Sequence, residues 1–527
     1  MKRILIFVML FMILVSTQGY ALECRYALKP EFGNGRNFTH GITLVHKDGQ
    51  SAVVDMFGNY VVDFDERYKL IRSNGLIMIV GENDMAAFFY KDGMQLTDYV
   101  YDTYPVTDAK WQTKDYMFAY SLQEGDGKST LVPFSRGKKY GYINEYGHEI
   151  VPPKYGYAGG FYNGIACIMD EGILHENGGY TNSKYGLIND EGKEILPSTS
   201  YWTASSVFDY GYSYATNGPG SQVIANKEGT VLHAGENGYA NIGARYYELF
   251  DNEGRTGIAS ADGTIIIPLD YYTGISRVNG DYFIVDNCIV NNKNEVIFKA
   301  PDGMSLSAHY TGTVEKSCFA RITAPDPEVV AGKFFGLVNT DGQIIIEPVY
   351  YSCYDLGEGL IYARDKDTNY LFDYSGKRIC TLNGNNVGKC IDGVFSIVDF
   401  DTMKTGYLLN PIVYPNVFIN GEELICDVYP KIEDGRTLVP LRAIMENTGC
   451  EVNWDEDTWT ASVKAGDDTV TIKPGEKVLY KNGEAIEIDV PAKIENSRTL
   501  IPLRAIMEAF DYKVEWNEGE REVNIIS

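Results

Sequence analysis

Residues 139–155 read KYGYINEYGHEIVPPKY. A Gly-containing turn separates two runs of alternating apolar residues, and a Pro and an aromatic follow. Much the same sentence returns as KYGLINDEGKEILP (184–197), RTGIASADGTIIIPLDYY (255–272) and FFGLVNTDGQIIIEPVYY (334–351). A catalytic motif occurs once, whereas a stretch that recurs is a building unit. The alternation predicts strand, short turn, strand, with one face buried. Gly147 supplies the positive φ of the turn, and the Pro ends ladder pairing because it has no N–H to give. A third strand follows, as in GIACIMD (164–170) and GLIYARD (359–365).

Weaker copies fill the intervals: SAVVDMFGNYVVDF (51–64), AAFFYKDGMQLTDYVY (86–101), SQVIANKEGTVLHA (221–234), NCIVNNKNEVIF (287–298) and NYLFDYSGKRICTL (369–382). Turn glycines fall at 58, 93, 147, 192, 229, 263, 342 and 376, with Asn294 in the place of a Gly. A period of about forty residues is the mark of a repeat architecture. One such unit cannot bury its apolar face alone, so successive units must stack or ring up. The expected fold is mainly β: an array of short antiparallel strands, β-propeller-like, with an open β-solenoid as the alternative. The units resemble WG repeats, whose pattern runs Trp-Gly-(Tyr/Leu)-Ile-Asp/Asn, a Gly turn, then Ile-(Ile/Val)-Pro-x-x-Tyr. The resemblance covers about residues 40–405. Tyr140, Tyr185, Thr256 and Phe335 stand where that pattern has Trp. It implies a binding or display scaffold, not a reaction.

From Asn410-Pro411 the composition changes: His vanishes and Trp454, Trp459 and Trp516 appear. NGEELICDVYPKIEDGRTLVPLRAIMENTGCEVNW (420–454) is echoed by NGEAIEIDVPAKIENSRTLIPLRAIMEAFDYKVEW (482–516), at a constant offset of 62 residues. Each half reads as strand, Asn-Gly hairpin, helix, strand. Pro440 and Pro502 are placed to open a helix. Leu441, Ile444 and Met445, and Leu503, Ile506 and Met507, fall on one helix face, and Gly449 suits the stop. Arg442 and Arg504 read as structural, snorkelling or pairing locally. The RTLVPLRAIME…VNW arrangement is similar to the copper amine oxidase N-terminal-like, or stalk, domain. That resemblance implies an accessory module of exported bacterial proteins, remote from any copper. Copper chemistry needs imidazole ligands, and this region has no His. The expected order is therefore a signal peptide (1–21), a WG-like β-repeat domain (22–410) and a small α+β stalk domain (411–527) of two duplicated halves, about 411–472 and 473–527.

The signal peptide rests on Lys2 and Arg3, the apolar run ILIFVMLFMILV (4–15), and Gly19 and Ala21 before a cut after Ala21. The apolar run is short for a membrane span, and an uncleaved anchor is the rival. Glu23 before Cys24 speaks against a lipoprotein signal. The reading is of export, to the cell envelope or the extracellular space, with no membrane association after signal cleavage.

In 527 residues the formal charge is −26. That argues against a sequence-independent grip on nucleic acid, which needs clustered Lys and Arg, and against adsorption to anionic lipid. The nine cysteines are odd in number and scattered, without CxxC, and no pair can be assigned. The six His residues (40, 46, 148, 175, 233, 309) have no metal spacing. The acidic clusters DFDER (63–67), NDEG (189–192) and WDEDT (454–458) lack an EF-hand rhythm and read as solvated turn charge. GNGRNFTHG (33–41) reads as a loop. HExxH, GxSxG, P-loop and Rossmann motifs are absent. No catalytic, metal or cofactor-binding residue is singled out, and no cofactor is expected. The forty Tyr residues read mainly as packing with the hydroxyl at the rim. The stretches YTNSKYG (180–186) and 201–222 are candidate exposed loops that could stack on sugars. The expectation is an exported, non-catalytic binding or display protein whose partner is a cell-wall glycan or a surface protein. The rivals are a glycan-acting enzyme with two close carboxylates in the repeat loops, and a self-associating surface-layer component.

Overall fold

The computed structural model describes residues 24–526 except 82–83, 103–128, 163, 171–172, 175–179, 182–183, 202, 205–211, 217–222, 227–230, 234–239, 242–245, 251–252, 261–263, 272–274, 309–318, 326–331 and 496. The expected signal peptide, Cys318 and most of the candidate loop 201–222 lie outside the described residues. The chain divides into two compact units, one containing Cys24–Arg378 with Leu382–Tyr414 and one containing Pro415–Ser527.

The first unit is a β-propeller-like succession of ten sheets of three or four antiparallel strands, counted over the described residues. The opening stretch forms the outer half of one sheet. Lys139–Ile143 pairs with Val132–Arg136 on one side and Glu149–Tyr155 on the other. The strands that follow it in sequence, Tyr157–Ala158 and Ile165–Met169, belong to the next sheet, where Ile165–Met169 lies between Tyr157–Ala158 and Tyr185–Asn189. The sequence repeat thus straddles two sheets. Middle strands such as Ile165–Met169 are buried at every residue, while outer strands such as Glu149–Tyr155 alternate. Cores form where one sheet faces the next: Tyr142 and Val151 pack with Phe161, Ala166 and Ile168, and Ile42, Leu44 and Val53 with Ile77 and Ile79. Each fully buried side chain of this size contributes about 1.5–3 kcal/mol.

The repeated residues have specific tasks. Asn144 Oδ1 accepts the N–H groups of Tyr146 (3.1 Å) and His148 (2.9 Å), and Gly147, at φ +79°, closes the turn onto the Asn144 carbonyl. Asp55, Asn189, Asn291, Asn339 and Asp373 hold their turns in the same way. Asn294 takes the Gly position at φ +61°, a conformation Asn tolerates better than most residues.

The glycine after the aromatic does something else. Tyr142 faces Val151 and Tyr140 faces Tyr155, so Gly141 lies opposite three residues, Pro152 to Lys154, in a bulge. A Cβ on Gly141 would sit 2.3 Å from the Val151 carbonyl oxygen. The same clash awaits Gly186 (2.4 Å), Gly257 (2.6 Å) and Gly336 (2.2 Å). This corrects the sequence expectation for Pro152. It does not end the pairing; it lies inside the strand Glu149–Tyr155, at the bulge, where an absent N–H costs the ladder nothing.

The array's two ends meet. Tyr26–Phe32 pairs with Thr405–Leu409, which pairs with Val394–Val398, so the N-terminal strand completes the last sheet. GNGRNFTHG, read from sequence as a loop, is part of this clasp. Gly35 pairs with Val45, the Arg36 carbonyl accepts the Tyr407 hydroxyl at 2.7 Å, and Phe38 meets the Tyr407 ring edge-on at 5.1 Å. A propeller-like array protects its terminal edges in this way. Cys24 and Cys380 each take part in a disulfide. Cys167, Cys353, Cys390 and Cys450 are buried thiols outside any disulfide, while the thiols Cys288 and Cys426 are half-buried.

In the second unit, Arg436–Pro440 and Arg498–Pro502 pair antiparallel across a pseudo-twofold axis, flanked by Lys431–Glu433 and Lys493–Glu495. Glu451–Asp455 and Thr460–Ala465 form the edge of a five-stranded sheet that continues through Asp468–Ile472 and Val478–Lys481 to Glu484–Glu487. Their equivalents, Lys513–Asn517 and Glu522–Ile526, pair onward with Asn416–Ile419, the last contact being parallel. Helices Leu441–Asn447 and Leu503–Glu508 bury the predicted residues Leu441, Ile444 and Met445, and Leu503, Ile506 and Met507. Pro440 and Pro502 end the preceding strands and stand at the helix N-caps rather than in the first turn.

Candidate functional site

The duplication builds two clefts, of about 650 and 660 Å³, most of whose lining residues correspond at the offset of 62. The first is lined by Asp427, Arg442, Glu446, Trp454, Trp459 and Arg498. The second is lined by Asp489, Arg504, Glu508, Trp516, Arg521 and Arg436. Each takes its helix and Trp from one half and a hairpin arginine from the other, so neither half makes a cleft alone. Arg498 Nε donates to Asp427 Oδ2 at 2.9 Å, and Arg436 Nε to Asp489 Oδ2 at 2.9 Å. Arg442 and Arg504 pair along their helices with Glu446 and Glu508, each at 3.8 Å. The local pairing expected of these two arginines is present, and both also line clefts.

Among charged and aromatic residues at corresponding positions, the two linings differ at one pair. Trp459 is 59% exposed and stands in a left-handed conformation, φ +54°, its ring edge-on to Trp454 at 6.0 Å and 76°. Arg521, at φ +49°, lays its guanidinium over Trp516 at 5.7 Å, and Trp516 Nε1 donates to Glu518 at 2.6 Å. Trp454 and Trp516 are positioned by strands whose inner residues pack on the shared core of this unit.

On the axis itself, Lys431 and Lys493 each contact both Glu433 and Glu495, with the within-half pairs at 3.2 and 3.0 Å. The hydrogen bond from Lys493 holds Glu433 below the usual carboxylate range. Burial would raise Glu495, but bonds from Lys431 and Lys493 outweigh it and lower it. Burial would lower Lys493, but its bonds to the two glutamates raise it. The glutamates therefore stabilise the fold above the ordinary Glu range of about 4.3 and lose that contribution as pH falls through their lowered folded values. Lys493 stabilises below about 10.4 and loses its contribution as pH rises through its raised value. Thermal melts between pH 7 and pH 3 should show a fall for this unit that the Glu433→Gln/Glu495→Gln variant largely lacks. Equal slopes would show that the quartet is not the source.

The acidic clusters behave as turn charge. Asp65 would be raised by burial, yet hydrogen bonds from Arg67 and Lys69 hold it down at about 2. Asn189 and Asp455 accept backbone N–H groups of their own turns. No group of three metal-ligating side chains occurs among the described residues. No described helix is long and apolar enough to cross a membrane. Tyrosines of the array pack at sheet interfaces and reach the next sheet: Tyr155 donates to Glu194 at 2.6 Å and Tyr101 to Glu149 at 3.2 Å. Sequence reasoning missed the clefts because each is assembled from both halves. The signal available was the Trp and Arg content of the exact repeat.

Comparison with known proteins gives matches on parts of the chain. Residues 418–525 match the copper amine oxidase N-terminal domain, a non-catalytic domain. Residues 140–172 and 335–368 match the WG-containing repeat. No curated protein matches the chain. Similar solved structures include one titled as the eukaryotic initiation factor, 8% identical over 68% of this chain and 86% of that chain, with a TM-score of 0.26. Another is BamB from Moraxella catarrhalis, 9% identical over 70% of this chain and 81% of that chain, with a TM-score of 0.20.

Proposed function

We propose that the chain is an exported, non-catalytic binding protein of the cell surface or extracellular space, displaying its β-array and attaching to cell-wall glycan through the C-terminal unit. The observation that carries this reading is the pair of clefts built by the duplication, each with a Trp wall and a rim of matched arginine and carboxylate. Clefts of several hundred Å³ with an aromatic wall and a few convergent polar groups are the usual form of a ligand site. The match of this unit to a non-catalytic domain supports binding over turnover. Export rests on the N-terminal sequence pattern.

The test is sedimentation of the full secreted chain with purified cell-wall sacculi. The comparison is a variant carrying Arg436→Ala and Arg498→Ala. Both arginine pairs are about half exposed or more, so their removal should cost less than about 1 kcal/mol of stability each. Losing a hydrogen-bonding group from each cleft should weaken the affinity about tenfold, read as a shift of the sedimentation curve along the sacculus concentration. Equal sedimentation of the two chains, or none by either, would overturn attachment through the clefts.

A further inference from the structure

We infer that the Trp454 cleft is a site for the ring face of a neutral sugar, and that position 459, against 521 in the other half, decides which cleft presents its indole faces to a ligand. The inference deepens the binding role proposed above and rests on it for its biological setting.

An indole 59% exposed to water is costly, and holding it in a left-handed backbone conformation adds strain that a β-branched or bulky residue seldom accepts. Here the strained residue forms one side of a corner with Trp454, the rings at 76°. Such a corner offers flat apolar surface in two directions, which suits the C–H faces of a pyranose. The charged residues lining this cleft are Arg442, Arg498, Asp427 and Glu446, two of each sign and already paired. A balanced rim gives an anionic polymer no net attraction. It does give neighbouring donors and acceptors, as adjacent hydroxyls require.

The other half of the duplication serves as an internal control. The Trp516 cleft repeats the helix, the Trp and the arginine of the other half, and the same left-handed turn, but Arg521 replaces the second indole. The guanidinium covers the Trp516 face, and Glu518 takes the indole N–H. Arg521 is itself only 18% exposed. The space of this cleft is as large as that of the other, but its indole face is covered by its own side chain, and the two copies have diverged at the residue that would meet a sugar.

The experiment is isothermal titration of the full chain with neutral β-1,4-linked tetrasaccharides (cellotetraose, chitotetraose, mannotetraose) and with tetragalacturonate as the anionic probe. At least one neutral probe should bind with a stoichiometry of one. Trp459→Ala and Trp459→Arg should each weaken it at least tenfold. The second variant installs the residue that the other half carries at the same turn, so it is compatible with the fold. Arg521→Trp should raise the stoichiometry toward two. Binding by no neutral probe, preference for tetragalacturonate, or indifference to both Trp459 variants would overturn the inference. If a neutral probe binds through Trp459 but the chain does not sediment with sacculi, the attachment reading fails and the site stands. If sedimentation depends on the two arginines but sugar binding ignores Trp459, the site fails and attachment stands.

Discussion

Replacing Gly336 with alanine should destabilise the β-array by roughly 3–5 kcal/mol, at the upper end of single substitutions. The new methyl would stand 2.2 Å from the Ile346 carbonyl oxygen and 2.7 Å from the Pro348 nitrogen. Both are backbone atoms, so no rotamer change relieves the contact, and the bulge that lets Phe335 face Tyr350 would have to be rebuilt. Gly137→Ala is the matched control. Its added methyl meets nothing within 4 Å, and only the φ of +61° opposes it, at about 1 kcal/mol. Urea denaturation of the two variants separates close approach from backbone conformation. A Gly336→Ala midpoint no lower than that of Gly137→Ala would show that the bulge yields.

The second large effect is expected at the clasp. Tyr407→Ala should cost about 3–5 kcal/mol. Tyr407 is fully buried, its ring packs on Phe38, and its hydroxyl donates to the Arg36 carbonyl and lies 3.3 Å from Thr43 Oγ1. Tyr407→Phe keeps the ring and loses the hydroxyl, for about 1 kcal/mol. Protease sensitivity of residues 24–45 should rise sharply in the Ala variant and little in the Phe variant. Equal sensitivity would mean that the N-terminal strand is held without Tyr407.

The array was legible in the sequence because its signals are local. Asn144 and Gly147 make one turn between themselves, and the same spacing recurs wherever the turn does. The role of Gly141 was not legible, since the carbonyl that excludes its Cβ belongs to Val151, across the sheet and through a bulge. Pro152 was misread for the same reason: its missing N–H was taken for the end of a strand, when the strand has room for it at the bulge. In the C-terminal unit, helix faces followed from spacing, as Leu441, Ile444 and Met445 show. The pairing of Arg436 with Asp489 and of Arg498 with Asp427 did not, because each joins opposite halves of the duplication. Both clefts depend on that exchange.

The meeting of Tyr26–Phe32 with Thr405–Leu409 also sets an order of events. The strand made first waits for a partner made some 380 residues later, and contacts this distant in sequence form slowly. Until then the array has an open edge at each end, each a template for pairing with another chain. Folding of the array is therefore finished by its ends and not by its middle. A chain cut short before Val394 would keep most of its sheets and lose the step that makes it safe in a crowd.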